Sequence, residues 1–112
     1  MRRGALLVLV VGGILSAAGP AVADATATHE LVIREHRFEP SEIDVPAGRR
    51  AVIHLRNLDP TAEEFDSSAL RVEKVVGGHG EGTVRLQPLS PGSYKFMGEY
   101  HPGTAQGVVV AK

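Results

Sequence analysis

Residues 88–112 read PLSPGSYKFMGEYHPGTAQGVVVAK, two strand-like stretches on either side of a loop that contains His101. Tyr94 and Phe96 stand two positions apart, the spacing that puts side chains on one face of an extended strand. Gly107 to Lys112 is a second extended run, rich in β-branched residues. Between them lies Glu99-Tyr100-His101-Pro102-Gly103, where proline fixes the turn directly after the histidine. A loop held at the end of a rigid strand pair is a common carrier of chemistry, so His101 is the first residue to examine for function.

The same pattern extends back through the chain. Candidate strands are Glu30 to Glu35, Glu42 to Pro46, Arg50 to Asn57, Leu70 to Val76, Thr83 to Gln87, Ser93 to Gly98 and Gly107 to Lys112. In Ala51-Val52-Ile53-His54-Leu55-Arg56, alternation sends Ile53 and Leu55 to one face and His54 and Arg56 to the other. Turn signals separate the segments: Pro46-Ala47-Gly48, Leu58-Asp59-Pro60, Ser90-Pro91-Gly92 and the glycine-rich run 77–82, which reads as a flexible interstrand loop. No long apolar stripe of helical period occurs, although Ser67-Ser68-Ala69-Leu70 could form one helical turn. The expectation is an all-β, Greek-key sandwich of about seven strands. Its core should include Ile53, Leu55, Val84, Leu86, Tyr94 and Phe96.

Residues 1–23 read as a secretory signal peptide. Arg2 and Arg3 form a positive start, Ala5 to Ala18 is apolar but shorter than the ~20 residues that span a bilayer, and Ala21-Val22-Ala23 is a cleavage site. Ala25 and Ala27 allow later cleavage. The remaining 24–112 form one domain, expected in the periplasm or outside the cell. Removing Arg2 and Arg3 from the 12 basic residues of the chain leaves ten against 13 acidic ones, mixed along the sequence, which is no footprint for nucleic acid. The chain has no cysteine, so it has neither a disulfide to support its core nor a thiolate for metal or redox chemistry.

Several motifs occur in a recognisable order: Phe38-x-Pro40, Ile43-x-Val45-Pro46-Ala47-Gly48, Asn57-Leu58-Asp59, Glu63-Glu64-Phe65, Glu73-Lys74-Val75-Val76, Leu89-x-Pro91-Gly92-x-Tyr94-x-Phe96 and Glu99-Tyr100-His101-Pro102. In this order they resemble the small secreted cupredoxins related to the cupredoxin domain of EfeO. The resemblance implies a cupredoxin-like sandwich and an exported metal-binding protein linked to iron uptake through a membrane iron permease; it implies no particular metal. Against a blue-copper loop, His101 and Gln106 stand in the places of the second histidine and the axial ligand, while Gly98 stands where cysteine would be. Glu63 and Glu64 replace the first histidine. An intense blue copper centre needs a copper–thiolate bond, so electron transfer of that kind is excluded.

What remains is an O/N donor set, suited to a copper or iron ion and also to Mn(II) or Zn(II). His101 leads it. Glu64 and Glu63 lie in the loop expected beside it, with helix-terminal charge as their alternative role, and Glu99 could share a strand face with His101. Glu73, on the following strand, is a further candidate donor, with plain surface charge as its alternative role. Met97 offers a thioether, although alternation from Phe96 favours packing or exposure. Gln106 could be an axial ligand or could pin the loop. His54 reads as an exposed strand residue, His36 as part of a short charged turn and His79 as a loop residue; His29 would bind Cu(II) adventitiously if cleavage exposed a nearby amine. No nucleophile context or phosphate cradle points to an enzyme. Three functions are therefore weighed: a metal-binding protein of uptake, a metal-free interaction module for a membrane transporter, and a metal oxidase.

Overall fold

Alternating burial builds nine strands among the described residues of the computed structural model, which comprise 26–112 together with 4–5 and 12–13. They are β1 (Ala27–Arg34), β2 (Arg37–Glu39), β3 (Glu42–Val45), β4 (Ala51–Asn57), β5 (Glu63–Ser67), β6 (Val72–Val76), β7 (Glu81–Leu86), β8 (Gly92–Gly98) and β9 (Gln106–Ala111). The signal-peptide reading falls outside these residues, apart from isolated positions 4–5 and 12–13. One sheet runs β2-β1-β4-β7 and the other β3-β9-β8-β5-β6. Most pairs are antiparallel, but β1 lies parallel to β4 and β3 parallel to β9. The result is the expected all-β sandwich, with two more strands than the sequence indicated.

The two extra strands have different physical explanations. β2 has only three residues and follows β1 after a two-residue turn, Glu35-His36, in which both residues have positive φ (52° and 57°). Hairpin turns of this hand usually advertise themselves with Asn or Gly, and here neither is present. β5 reads EEFDS, with Glu63, Phe65 and Ser67 buried and Glu64 and Asp66 half-buried. Two of its three inward positions are polar, so the usual apolar alternation is hidden. Residues 68–71 make a turn into β6 rather than a helix.

Leu31, Ile33, Ile53, Leu55 and Val84 from the first sheet pack against Ile43, Val45, Phe65, Phe96 and Val109 from the second, all at most 3% exposed. Leu86 joins them, whereas Tyr94 is only partly buried and donates its hydroxyl hydrogen to the Ser90 carbonyl at 2.8 Å. Phe65 and Phe96 stack at 4.6 Å between centroids, and Phe38 meets them edge-on at 6.0 and 5.1 Å. Gly107 makes this stack possible: a Cβ there would lie 2.3 Å from Phe96 Cζ.

Because β1 and β4 are parallel, the turns after them emerge at the same end. Loops 77–80 and 99–105 also meet there, the first through the Asn57 N–H donating to the Gly80 carbonyl and the second through the Thr104 hydroxyl donating to the His36 carbonyl. Asn57, 1% exposed, donates to the Thr61, Val76 and Gly77 carbonyls and accepts the Asp59 N–H at 3.0 Å. The glycine-rich run is consequently tied down rather than free: His79 N–H reaches the Asp59 carbonyl at 2.9 Å and Gly78 lies flat on Pro60.

Candidate metal centre

Strand alternation separates Glu63 from Glu64. Glu63 turns inward and is 1% exposed, while its neighbour faces out. Oε1 of Glu63 accepts the Glu64 N–H at 3.0 Å and the Tyr100 N–H at 3.1 Å, and Oε2 faces His101 Nδ1 at 2.5 Å. This carboxyl group is therefore fully partnered, as a buried polar group must be. Gly98 supplies the space: a Cβ at that position would come within 2.6 Å of Glu63 Cδ. The glycine in the expected cysteine position and the buried glutamate are two halves of one packing arrangement.

The loop after β8 presents His101. Its N–H donates to the Gly98 carbonyl at 3.0 Å, and its own carbonyl accepts from Thr104 and Ala105 at 3.1 and 2.9 Å. Gln106 closes the loop by donating its amide to the Pro102 carbonyl at 2.9 Å, the pinning role weighed for it above.

The third member is His36, whose sequence neighbourhood reads only as a short charged turn. Its ring stacks on His101 with centroids 3.6 Å apart and an interplanar angle of 15°. Donor atoms of His36, Glu63 and His101 all lie within 4.8 Å of one another. No local motif marks His36. Its arrival depends on the β1–β2 hairpin and on the parallel pairing of β1 with β4, both long-range facts. Asp59, beneath the turn, accepts the Glu35 and His36 N–H groups at 2.8 and 2.9 Å. Burial works to raise its pKa, but those two hydrogen bonds and the neighbouring imidazoles hold the carboxyl below the ordinary aspartate value.

The remaining candidates fall elsewhere. Glu64 and Glu99 do come together, but with Asp66 and on the outer face of the five-stranded sheet, not with His101. Glu73 pairs with Asp66 in the β5–β6 register, and Met97 pairs with both Asp66 and Gln106, so these side chains occupy that same outer face. The expected grouping of Glu64, Glu99 and His101 is thus replaced by two clusters on opposite sides of β5. Adjacent residues of one strand cannot both face the same way.

The acidic cluster strains itself electrostatically. Partial desolvation, then Glu99, Glu73 and Asp66, push the Glu64 carboxyl above its ordinary pKa. A carboxyl with a raised folded-state pKa holds its proton more tightly folded than unfolded, so stability is greater at low pH and declines as pH rises through the folded value. Glu64→Gln is therefore expected to raise Tm at about pH 7, with the gain shrinking as pH falls through the folded value and gone below about pH 4. Thermal denaturation of both proteins across that range checks it; a pH-independent gain would assign the effect to something other than charge.

The family description of the cupredoxin-like domain matches residues 5–111, and the chain belongs to that family. It is 37% identical over 81 residues to an uncharacterized protein of Rickettsia prowazekii (strain Madrid E), covering 72% of this chain and 65% of the relative's length. Among solved structures it is similar to the metal-binding domain, with Cu(I), of the Cu(I)-exporting P-type ATPase of Streptococcus pneumoniae. That match has a TM-score of 0.68 and 16% identity, over 76% of this chain and 84% of the other. Auracyanin A, a "blue" copper protein of Chloroflexus aurantiacus, aligns with a TM-score of 0.64 and 15% identity, over 79% and 100% of the two chains.

Copper held by a thiolate does not fit this chain. There is no cysteine, and the side chain of Glu63 fills the space that a residue at 98 would need. An ion bound by nitrogen and oxygen does fit the donors of His36, Glu63 and His101. Such an ion would add a charge to organise these side chains around, without the strongly coloured thiolate bond.

Proposed function

We propose that this protein is an exported metal binder that takes copper or iron on His101, Glu63 and His36 and passes it on during metal uptake, without blue-copper electron transfer. The convergence of two imidazoles and a buried carboxylate at one end of the sandwich carries this reading. The apolar leader at residues 1–23 supports export. The order of motifs, which resembles that of EfeO-related cupredoxins, supports a membrane iron permease as the recipient.

A metal-free interaction module is the second reading, favoured by one observation. Both oxygens of Glu63 already have partners without an ion, so the pair it forms with His101 can stand as a structural clasp.

Cu(II) titration of the chain from Asp24 onward separates the two. The metal-binding reading expects saturable binding and a pale d–d absorption with no intense thiolate band, because all three donors are nitrogen or oxygen. His101→Ala should remove most of the metal-induced rise in Tm, which depends on ligand concentration relative to Kd, whereas His54→Ala should keep it. His54 is a suitable control because it is engaged elsewhere, with Glu30 at 2.8 Å. If neither Cu(II) nor iron binds, the interaction module replaces the metal reading.

A further inference from the structure

His36 owes its place to a residue outside the donor set. Asp59 reaches from the loop after β4 to the turn between β1 and β2, where its two oxygens accept the N–H groups of Glu35 at 2.8 Å and His36 at 2.9 Å. Both turn residues are in the left-handed region, which side chains other than glycine and asparagine rarely adopt. Two successive N–H groups pointing into one concavity form an anion cradle, and Asp59 is its built-in anion. We propose that Asp59 is the positioning residue that keeps the His36 imidazole beside that of His101, so that the site offers two imidazoles and takes a borderline divalent cation of the Cu(II) class over a hard one. This deepens the metal-binding reading and rests on it.

Several contacts make Asp59 a fixed anchor. Its backbone N–H is held by the Asn57 side-chain oxygen at 3.0 Å, and its carbonyl accepts from His79 at 2.9 Å. From the opposite side, the Thr104 hydroxyl donates to the His36 carbonyl at 2.6 Å. Asp59 Oδ2 also lies 3.5 Å from His36 Nδ1. A carboxylate beside a ligating imidazole orients the ring and raises its affinity for a cation, and its loss typically costs 10–100-fold in metal affinity. Imidazole suits Cu(II) and Zn(II), whereas carboxylates suit Mn(II), so the number of imidazoles sets the class of ion.

The test uses the full chain with Cu(II) and Mn(II) as separate probes, measuring affinity by competition titration and counting coupled imidazoles by pulsed EPR of the copper form. Wild type should show two imidazoles. Asp59→Ala should show one, with Cu(II) affinity down roughly 10–100-fold and Mn(II) affinity changed much less. Asp59→Asn, which keeps one acceptor oxygen, should fall between them. In a His36→Ala background, Asp59→Ala should add no further loss, because the two residues act as one unit. Equal losses for both metals, or a full additional loss without His36, would reduce Asp59 to a general structural role and overturn the inference. If Asp59→Ala does not fold, Asp59→Asn and Thr104→Val carry the test; two imidazoles at wild-type affinity in both overturn it as well. A wild type that binds through one imidazole overturns this inference and leaves the metal reading standing. A wild type that binds no Cu(II) removes both.

Discussion

Glu63→Ala is expected to destabilise the protein by about 3 kcal/mol, the lower end of what removing one partner of a buried pair costs. The substitution removes the acceptor for the Glu64 and Tyr100 N–H groups and the partner of His101 Nδ1 in one step. It also leaves an empty space beside Gly98, whose missing side chain cannot fill it. The low end applies because the His101 side chain is 30% exposed and can recover part of its hydration. Glu63→Gln has nearly the same volume and keeps an oxygen for the two backbone donors, so it should cost distinctly less. Its amide nitrogen would then face His101 Nδ1, which must serve as the acceptor. Urea unfolding of the three proteins measures the series. Equal stability for Glu63→Ala and wild type would mean that the carboxylate is not the anchor of the 99–105 loop.

This anchoring also shows why the site was only half legible. His101 could be read from the residues around it, since a histidine before proline in a loop between two alternating stretches has few places to go. Glu63 and Glu64 could not be told apart in the same manner. They are neighbours on a strand whose inward positions are Glu, Phe and Ser, and a shift of one residue in register would exchange their faces. Gly98 carried half of the answer. Read as a missing ligand, it marks the place where the buried carboxylate fits. His36 was beyond local reading because the stack on His101 is created by a hairpin without turn-type residues and by a strand pairing between distant segments.

The fold was more legible for a related reason. β4, β7 and β9 expose regular alternation or β-branched runs, and their turns carry Pro, Gly or Asn. The strands without a local sequence signal are the ones shaped by the site: β2, which closes the His36 turn, and β5, which places Glu63 at an inward position. Local rules fail where a buried polar group or a left-handed turn overrides them.

Phe96→Ala is expected to cost roughly 3–5 kcal/mol, the range for removing a buried aromatic ring. Phe96 is 3% exposed, stacks on Phe65, takes the edge of Phe38 and lies against Gly107. Neighbouring rings cannot close the gap cheaply, because Phe65 is fixed in β5 and the glycine surface has no side chain to move inward. The loss should also reach the site. Phe65 stands two residues after Glu63 and Phe96 two before Gly98, and Phe65 pairs with Gly98 in the β5–β8 register. Loosening that pair loosens the alignment of Glu63 with the loop that carries His101. Guanidinium unfolding should show the fall in stability, and any metal-induced rise in Tm should shrink in the same variant. A near-neutral result would place the ring outside the load of the core, and the expected fall in stability with an unchanged metal-induced rise in Tm would separate the aromatic stack from the site.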